Sequence, residues 1–160
     1  MKKILVSTVI ALLLLILLAS TTFAAPTAVE KQLLLKGSLQ AIEMDELIFP
    51  TLFVDATGSG NATQLGQFRV TFQVTVNLLT LSGPASAHFV AANGDSLYAE
   101  GWGQATPTGT PNVVTIVETY TITGGTGRFA GASGSLTVER VLDQSTGLSS
   151  GSITGNIVLP

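Results

Sequence analysis

Few side chains in this 160-residue chain are equipped for chemistry. The strongest grouping lies in the segment 112–123, where Val114, Ile116, Glu118, Tyr120 and Ile122 alternate with Val113, Thr115, Val117, Thr119 and Thr121. In an extended chain the two sets face opposite ways. If the face carrying Glu118 and Tyr120 points inward, burial disfavours the charged carboxylate. Such a carboxyl could orient a ligand's polar atom or act as a general acid. The alternatives are that the threonine-rich face is the interior one, that Glu118 sits at a rim, or that it pairs with Arg140, which follows Leu136 and Val138 in its own alternation. A second set, Tyr98, Glu100 and Trp102, also shares one extended face. It suits a cavity mouth for an apolar small molecule or a sugar, or else an outer packing or subunit contact.

Other chemistries are excluded by composition. The chain has no cysteine and one histidine, His88, so a thiolate nucleophile, a redox pair, a disulfide and a metal site are not expected. No GxSxG elbow singles out a nucleophilic serine. The string Thr121-Ile122-Thr123-Gly124-Gly125-Thr126-Gly127-Arg128-Phe129-Ala130-Gly131-Ala132-Ser133-Gly134 is glycine-rich, but its spacing fits neither phosphate-binding loop and a strand follows it. Its glycines read as turns and bulges, with Phe129 turned inward. A formal net charge of -3 gives no cationic surface for nucleic acid. No cofactor is expected.

These residues need elements to hold them. Residues 1–25 read as a signal peptide: Lys2 and Lys3 precede an apolar run, and Phe23-Ala24-Ala25 supplies small residues before Pro26. Cleavage would leave residues 26–160 as one secreted or periplasmic domain, and an uncleaved leader would be the route to a membrane. From Phe68 the chain alternates Phe68, Val70, Phe72, Val74, Val76 and Leu78 against polar residues, a half-buried strand. The same period predicts strands over 32–43, 85–92, 96–104, 112–123, 134–142 and 151–159, with a short candidate at 62–65. Residues 44–60 read as a long connection or rim lid, and Asn93-Gly94 as a type I′ hairpin turn. About eight strands joined by short turns point to an all-β fold, a single antiparallel β-barrel whose closure removes exposed edges.

Three stretches carry a family resemblance. The glycine string above resembles the ITGGTG-x-F-x-GA-x-G segment of the allene oxide cyclase-like barrel proteins, a dirigent-related, calycin-like fold. Gly60-Asn61-Ala62-Thr63-Gln64-Leu65-Gly66 is similar to the GxATHLG turn of bacterial secreted relatives, and Ala91-Ala92-Asn93-Gly94-Asp95 to their AANGD hairpin. The resemblance spans roughly residues 36–159. It implies an eight-stranded barrel; in the plant enzymes its apolar cavity steers ring closure of a fatty-acid epoxide, without cofactor, by a carboxylate and a held water. No motif places that carboxylate here, and Gln64 stands where relatives often show histidine. The expectation is an exported barrel that binds an apolar small molecule or serves a structural role without catalysis, with self-association as a further possibility. The alternative is a cofactor-independent isomerase or cyclase, or a dirigent-like guide, with Glu118 as polar anchor. Tyr98, Glu100, Trp102, Glu118 and Tyr120 are the expected ligand contacts.

Overall fold

The structure, a computed structural model, describes residues 30–160. The expected signal peptide lies outside the described residues. Eight strands follow in chain order: β1 (Lys31–Ile48), β2 (Thr51–Ala62), β3 (Gly66–Asn77), β4 (Ser82–Ala91), β5 (Ser96–Pro107), β6 (Val113–Gly125), β7 (Ser133–Asp143) and β8 (Leu148–Leu159). Each pairs antiparallel with the next. The first and last strands close the barrel over the register Lys31↔Leu159 to Ile42↔Leu148. The all-β barrel expected from the period-two pattern is therefore the fold.

Alternation decides what lies inside. Phe68, Val70, Phe72 and Val74 of β3 are buried while Arg69, Thr71, Gln73 and Thr75 are exposed. On β6 the buried set is Val114, Glu118, Tyr120 and Ile122, so the threonine face looks outward. Inward positions of β4 and β5 are mostly small: Gly83, Ala85 and Ala87, then Ala99, Gly101 and Gly103. They make room for the large inward residues of β3, β6 and β7, since the interior of an eight-stranded barrel is narrow and packs densely where side chains fill it.

The two ends differ. At the end reached by the β2–β3, β4–β5 and β6–β7 connections, Leu65, Phe68, Phe89, Leu97 and Phe129 are each at most 3% exposed. Phe129 sits in a 3-10 turn, Gly127–Phe129, and closes this end as the glycine string implies. Positive φ at Gly127 (56°), Gly131 (72°) and Gly134 (121°) explains why that string needs glycine. At the other, more open end Val54, Val74, Val114 and Leu142 are buried, while Leu52, Val76, Ala105 and Ile116 face inward by alternation and are partly exposed, so solvent reaches the inner face of the sheet at this rim.

Three local expectations are corrected. Residues 44–60 are not a connection or lid: β1 runs on to Ile48 and β2 begins at Thr51, paired from Ile48↔Thr51 to Gly37↔Ala62. The period was hidden because β2 turns Ala56, Gly58, Gly60 and Ala62 inward, small residues that carry little hydropathy contrast. The candidate strand at 62–65 is the β2–β3 turn, where Gln64 adopts φ 69° and Thr63 ties it to β1 by accepting a bond from Lys36 N and donating one to Leu34 O. Asn93-Gly94 does form a hairpin, but positive φ occurs at Gly94 alone. Gly94 N donates to Ala91 O and Ala91 N to Asp95 O, the pattern of a three-residue loop ending in a left-handed glycine.

Gly151 and Gly103 separate close approach from mere smallness. A Cβ on Gly151 would strike the Glu139 carbonyl oxygen and come within 2.8 Å of Arg140 Cα, whereas one on Gly103 would rest 3.4 Å from Glu118 Cγ and 3.7 Å from Val74 Cγ1. Gly151→Ala is therefore expected to lower unfolding free energy by about 1–3 kcal/mol, and Gly103→Ala to change it far less. Urea denaturation of both variants checks this, and equal losses would refute it.

Candidate functional site

The residue that organises the interior is Arg140, carried by β7 and 2% exposed. Its guanidinium is shared out among three neighbours. Nε and Nη2 donate to Glu118 Oε2 and Oε1 at 3.2 and 2.9 Å, a bidentate pair, while Nη1 donates to Glu43 Oε1 at 2.6 Å and Ser149 Oγ at 3.0 Å. Charge-assisted forks of this kind are the strong hydrogen bonds of protein interiors. Below it the Phe72 ring lies 5.1 Å from Arg140 Cζ, within cation–π range.

Register explains the convergence. Arg140 pairs with Ile116, one step along the same face from Glu118, and with Gly151, one step from Ser149. Ser149 in turn pairs with Ala41, next to Glu43 on the inward face of β1. Four consecutive strands, β6, β7, β8 and β1, thus each supply one polar side chain to a single layer. Glu118 is 0% exposed and pairs with Arg140, so of the alternatives open to it the ion pair is the one adopted. Glu43 and Ser149 extend beyond sequence expectation. Continuing the alternation Leu35, Leu39, Ala41 by one step reaches Glu43, and running Ile157, Ile153, Gly151 backwards reaches Ser149.

The electrostatics follow from the burial. Burial opposes the charge of Arg140, but Glu118 and Glu43 more than offset it and hold the guanidinium above its ordinary value. Burial pushes the Glu43 carboxyl up, and Arg140 compensates only in part. Tyr120 lies deeper on β6, 3% exposed, its ring 6.4 Å from that of Phe72. Burial, followed by the negative charge of Glu118, drives its phenol far above the usual range, so it is a neutral hydroxyl. Among the described residues no partner reaches that hydroxyl at full hydrogen-bond geometry, and the Glu118 carboxylate is the acceptor it faces. The layer can therefore hold and orient a polar atom, but it lacks the paired nucleophile and base of covalent catalysis.

The five expected ligand contacts do not meet. Glu118 and Tyr120 lie inside; Tyr98, Glu100 and Trp102 stand on the outer wall of β5, exposed. Tyr98 stacks on His88 at 4.7 Å, and His88 Nε2 lies 3.1 Å from Ser96 Oγ, so the histidine is part of outer-wall packing. Glu100 borders an outer groove with Phe53, Asp55, Gln73 and Ser86. No cluster of potential metal ligands occurs among the described residues.

Arg140 leaves two carboxylates without a cation if it is removed. Arg140→Met is expected to cost about 3–5 kcal/mol, and adding Glu118→Leu to restore much of the loss, read by urea denaturation; an Arg140→Met variant as stable as the parent would refute the role. Glu43 gives a pH signature. Its folded-state value is raised above 4.5, so the folded state binds the proton more tightly, and stability gains as pH falls through that raised value. The thermal midpoint of the parent minus that of Glu43→Gln should therefore be larger at pH 5 than at pH 7. Parallel midpoints would contradict it.

No family model and no curated protein matches the sequence. Among solved structures, the pterocarpan synthase dirigent protein GePTS1 has the same architecture, at 13% identity over 85% of this chain and 89% of that one, with a TM-score of 0.52. At that identity the likeness is one of fold, and it agrees with the eight-stranded closure described above: the chain has a dirigent-related barrel fold.

Proposed function

We propose that this protein is an exported, dirigent-like barrel that binds an apolar small molecule carrying one polar group, at the open end and without cofactor. The observation that carries the reading is the Tyr120 hydroxyl. A buried phenol that faces a carboxylate already held by Arg140, without completing a hydrogen bond to it, keeps hydrogen-bonding capacity, and a wholly unmet hydroxyl would cost about 1–3 kcal/mol. Above it the layer offers further unused capacity, and the partly exposed Leu52, Val76, Ala105 and Ile116 form an apolar ring around the approach. Pockets for small molecules combine such walls with a few polar groups.

Export rests on the leader-like residues 1–25, which leave residues 26–160 as the barrel domain. The glycine string supports membership of the allene oxide cyclase-like, bacterial secreted branch of this fold. Self-association is supported by an outer apolar stripe, Ile42, Leu148 and Val141 on the adjacent strands β1, β8 and β7, each about half exposed. Tyr98 and Trp102 supply further exposed outer aromatics. A second reading has one observation in its favour: Glu118, held in place by Arg140 inside the barrel, can anchor a substrate. GePTS1 is a pterocarpan synthase dirigent protein, and the shared barrel fold supports, by analogy alone, a guide or isomerase acting on an apolar small molecule here.

Tyr120→Phe separates binding from folding. Removing an unsatisfied hydroxyl should leave the free protein as stable as the parent or more so, while weakening the binding of an apolar alcohol such as 1-naphthylmethanol by about tenfold, the worth of one hydrogen bond. Native mass spectrometry of the purified protein should show a retained small molecule that the variant loses. Unchanged affinity, with no retained mass in either form, would overturn the reading.

A further inference from the structure

Charge is distributed along the barrel axis rather than evenly. Lys31, Lys36, Arg69 and Arg128 all lie in the half that Phe129 closes. Among the described residues, the half around the open end carries Glu43, Asp45, Glu46, Asp55, Glu118, Glu139 and Asp143, and its one cation is Arg140. Arg140 is already committed to two carboxylates. Approaching the polar layer from solvent, a molecule therefore meets Asp45 and then Glu43, both inward by the alternation of β1, with no accessible cation beside them among the described residues.

Glu43 is the better placed of the two. Its side chain is 4% exposed, and among the described residues only Oε1 is engaged, by Arg140; Oε2 accepts no hydrogen bond. Two carboxyl groups converge on one guanidinium, so the layer holds one acid more than it holds bases. The neutral Tyr120 hydroxyl, unpartnered beside Glu118, adds an oxygen that can accept as well as donate. A carboxylate or phosphate brought into this layer would face uncompensated repulsion in a low dielectric, and a neutral alcohol would leave the excess charge unpaired. A positive charge satisfies both demands.

We propose that the open end selects apolar molecules bearing a protonated amine, with the ammonium group taken up by Glu43 Oε2 and the Glu118–Tyr120 oxygens, and the apolar body lying against Leu52, Val76, Ala105 and Ile116. The inference rests on the binding reading above and names its ligand class. The acidic rim serves a second purpose, since a mouth of one sign raises the local concentration of ligands of the other.

Three probes of one shape test it: 1-naphthylmethylamine, 1-naphthylmethanol and 1-naphthylacetate, titrated calorimetrically into the purified full-length protein at neutral pH. The amine is expected to bind at least about tenfold more tightly than the alcohol, and the carboxylate most weakly. Glu43→Gln, whose amide oxygen can still accept from Arg140, should remove the amine's advantage over the alcohol measured on the same variant. Asp45→Asn, at the exposed rim, should reduce it, and this variant keeps the test valid should Glu43→Gln fail to fold. Glu139→Gln, on the outer face of β7, should leave the preference intact. An amine that binds no better than the alcohol, or a preference unmoved by both rim variants, overturns charge selection while leaving the binding site standing. If none of the three probes binds, the binding reading and this inference fall together.

Discussion

A guanidinium inside a closed sheet must have its anions within hydrogen-bond reach, and much of this barrel is arranged around that demand. Desolvating Arg140 costs several kcal/mol before any partner is counted. The cost is offset only because β6, β8 and β1 present Glu118, Ser149 and Glu43 at one level. Glycine stands across from the two bulkiest members: Gly103 pairs with Glu118 and Gly151 with Arg140. A side chain at Gly151 would displace the neighbouring backbone, so local backbone geometry and the ionic layer specify each other.

The same layer divides the barrel. On one side Phe72, Phe89, Phe68 and Phe129 fill the interior down to the closed end, with edge-on contacts between Phe72 and Phe89 and between Phe68 and Phe89. That half is a core of the ordinary kind, held by apolar burial and dense packing. On the other side Val54, Val74, Val114 and Leu142 are still buried, Leu52, Val76, Ala105 and Ile116 are partly exposed, and Asp45 of β1 stands at the rim. Residues that pack and residues that can meet a ligand are thus separated along the axis, which lets the mouth vary without loosening the core.

How much of this could be read from the residues depends on contrast. Strands β3 and β6 alternate large apolar with polar side chains, and their inward faces were legible from period alone. Strand β2 was not, because Ala56, Gly58, Gly60 and Ala62 fill the inward positions with residues that look neither apolar nor polar in a hydropathy pattern. The Asn93-Gly94 turn was legible as a hairpin but not in its type: a type I turn closed by a left-handed Gly94 needs one positive φ, and the dipeptide suits that as well as two. Half of the polar layer was legible too. Glu118 and Arg140 lie within strands whose period is clear, whereas Glu43 is the last residue of the strand expected over 32–43 and Ser149 lies just before the one expected over 151–159, where alternation is least well bounded. The grouping of Glu118 and Tyr120 with Tyr98, Glu100 and Trp102 failed for a different reason. Period two assigns residues to one of two faces within a strand but does not say which face of one strand matches which face of the next.

A buried ion pair is weak evidence for stability, since apolar residues of matching volume often serve as well or better. One purpose it can serve is registration: a one-residue slip anywhere from β6 to β1 would turn Arg140 or one of its partners outward, so the layer penalises every misclosure of the barrel. That accounts for Arg140, Glu118 and Ser149, whose polar groups face one another. It does not account for the Tyr120 hydroxyl, where phenylalanine would pack equally well without an orphaned polar atom, nor for a second carboxylate, Glu43, where one already suffices to balance the charge. Both excess groups lie within or next to the layer. A registration device would be complete without them, whereas a site that must receive the polar end of a molecule from solvent needs unspent hydrogen-bonding capacity and unbalanced charge at just this level.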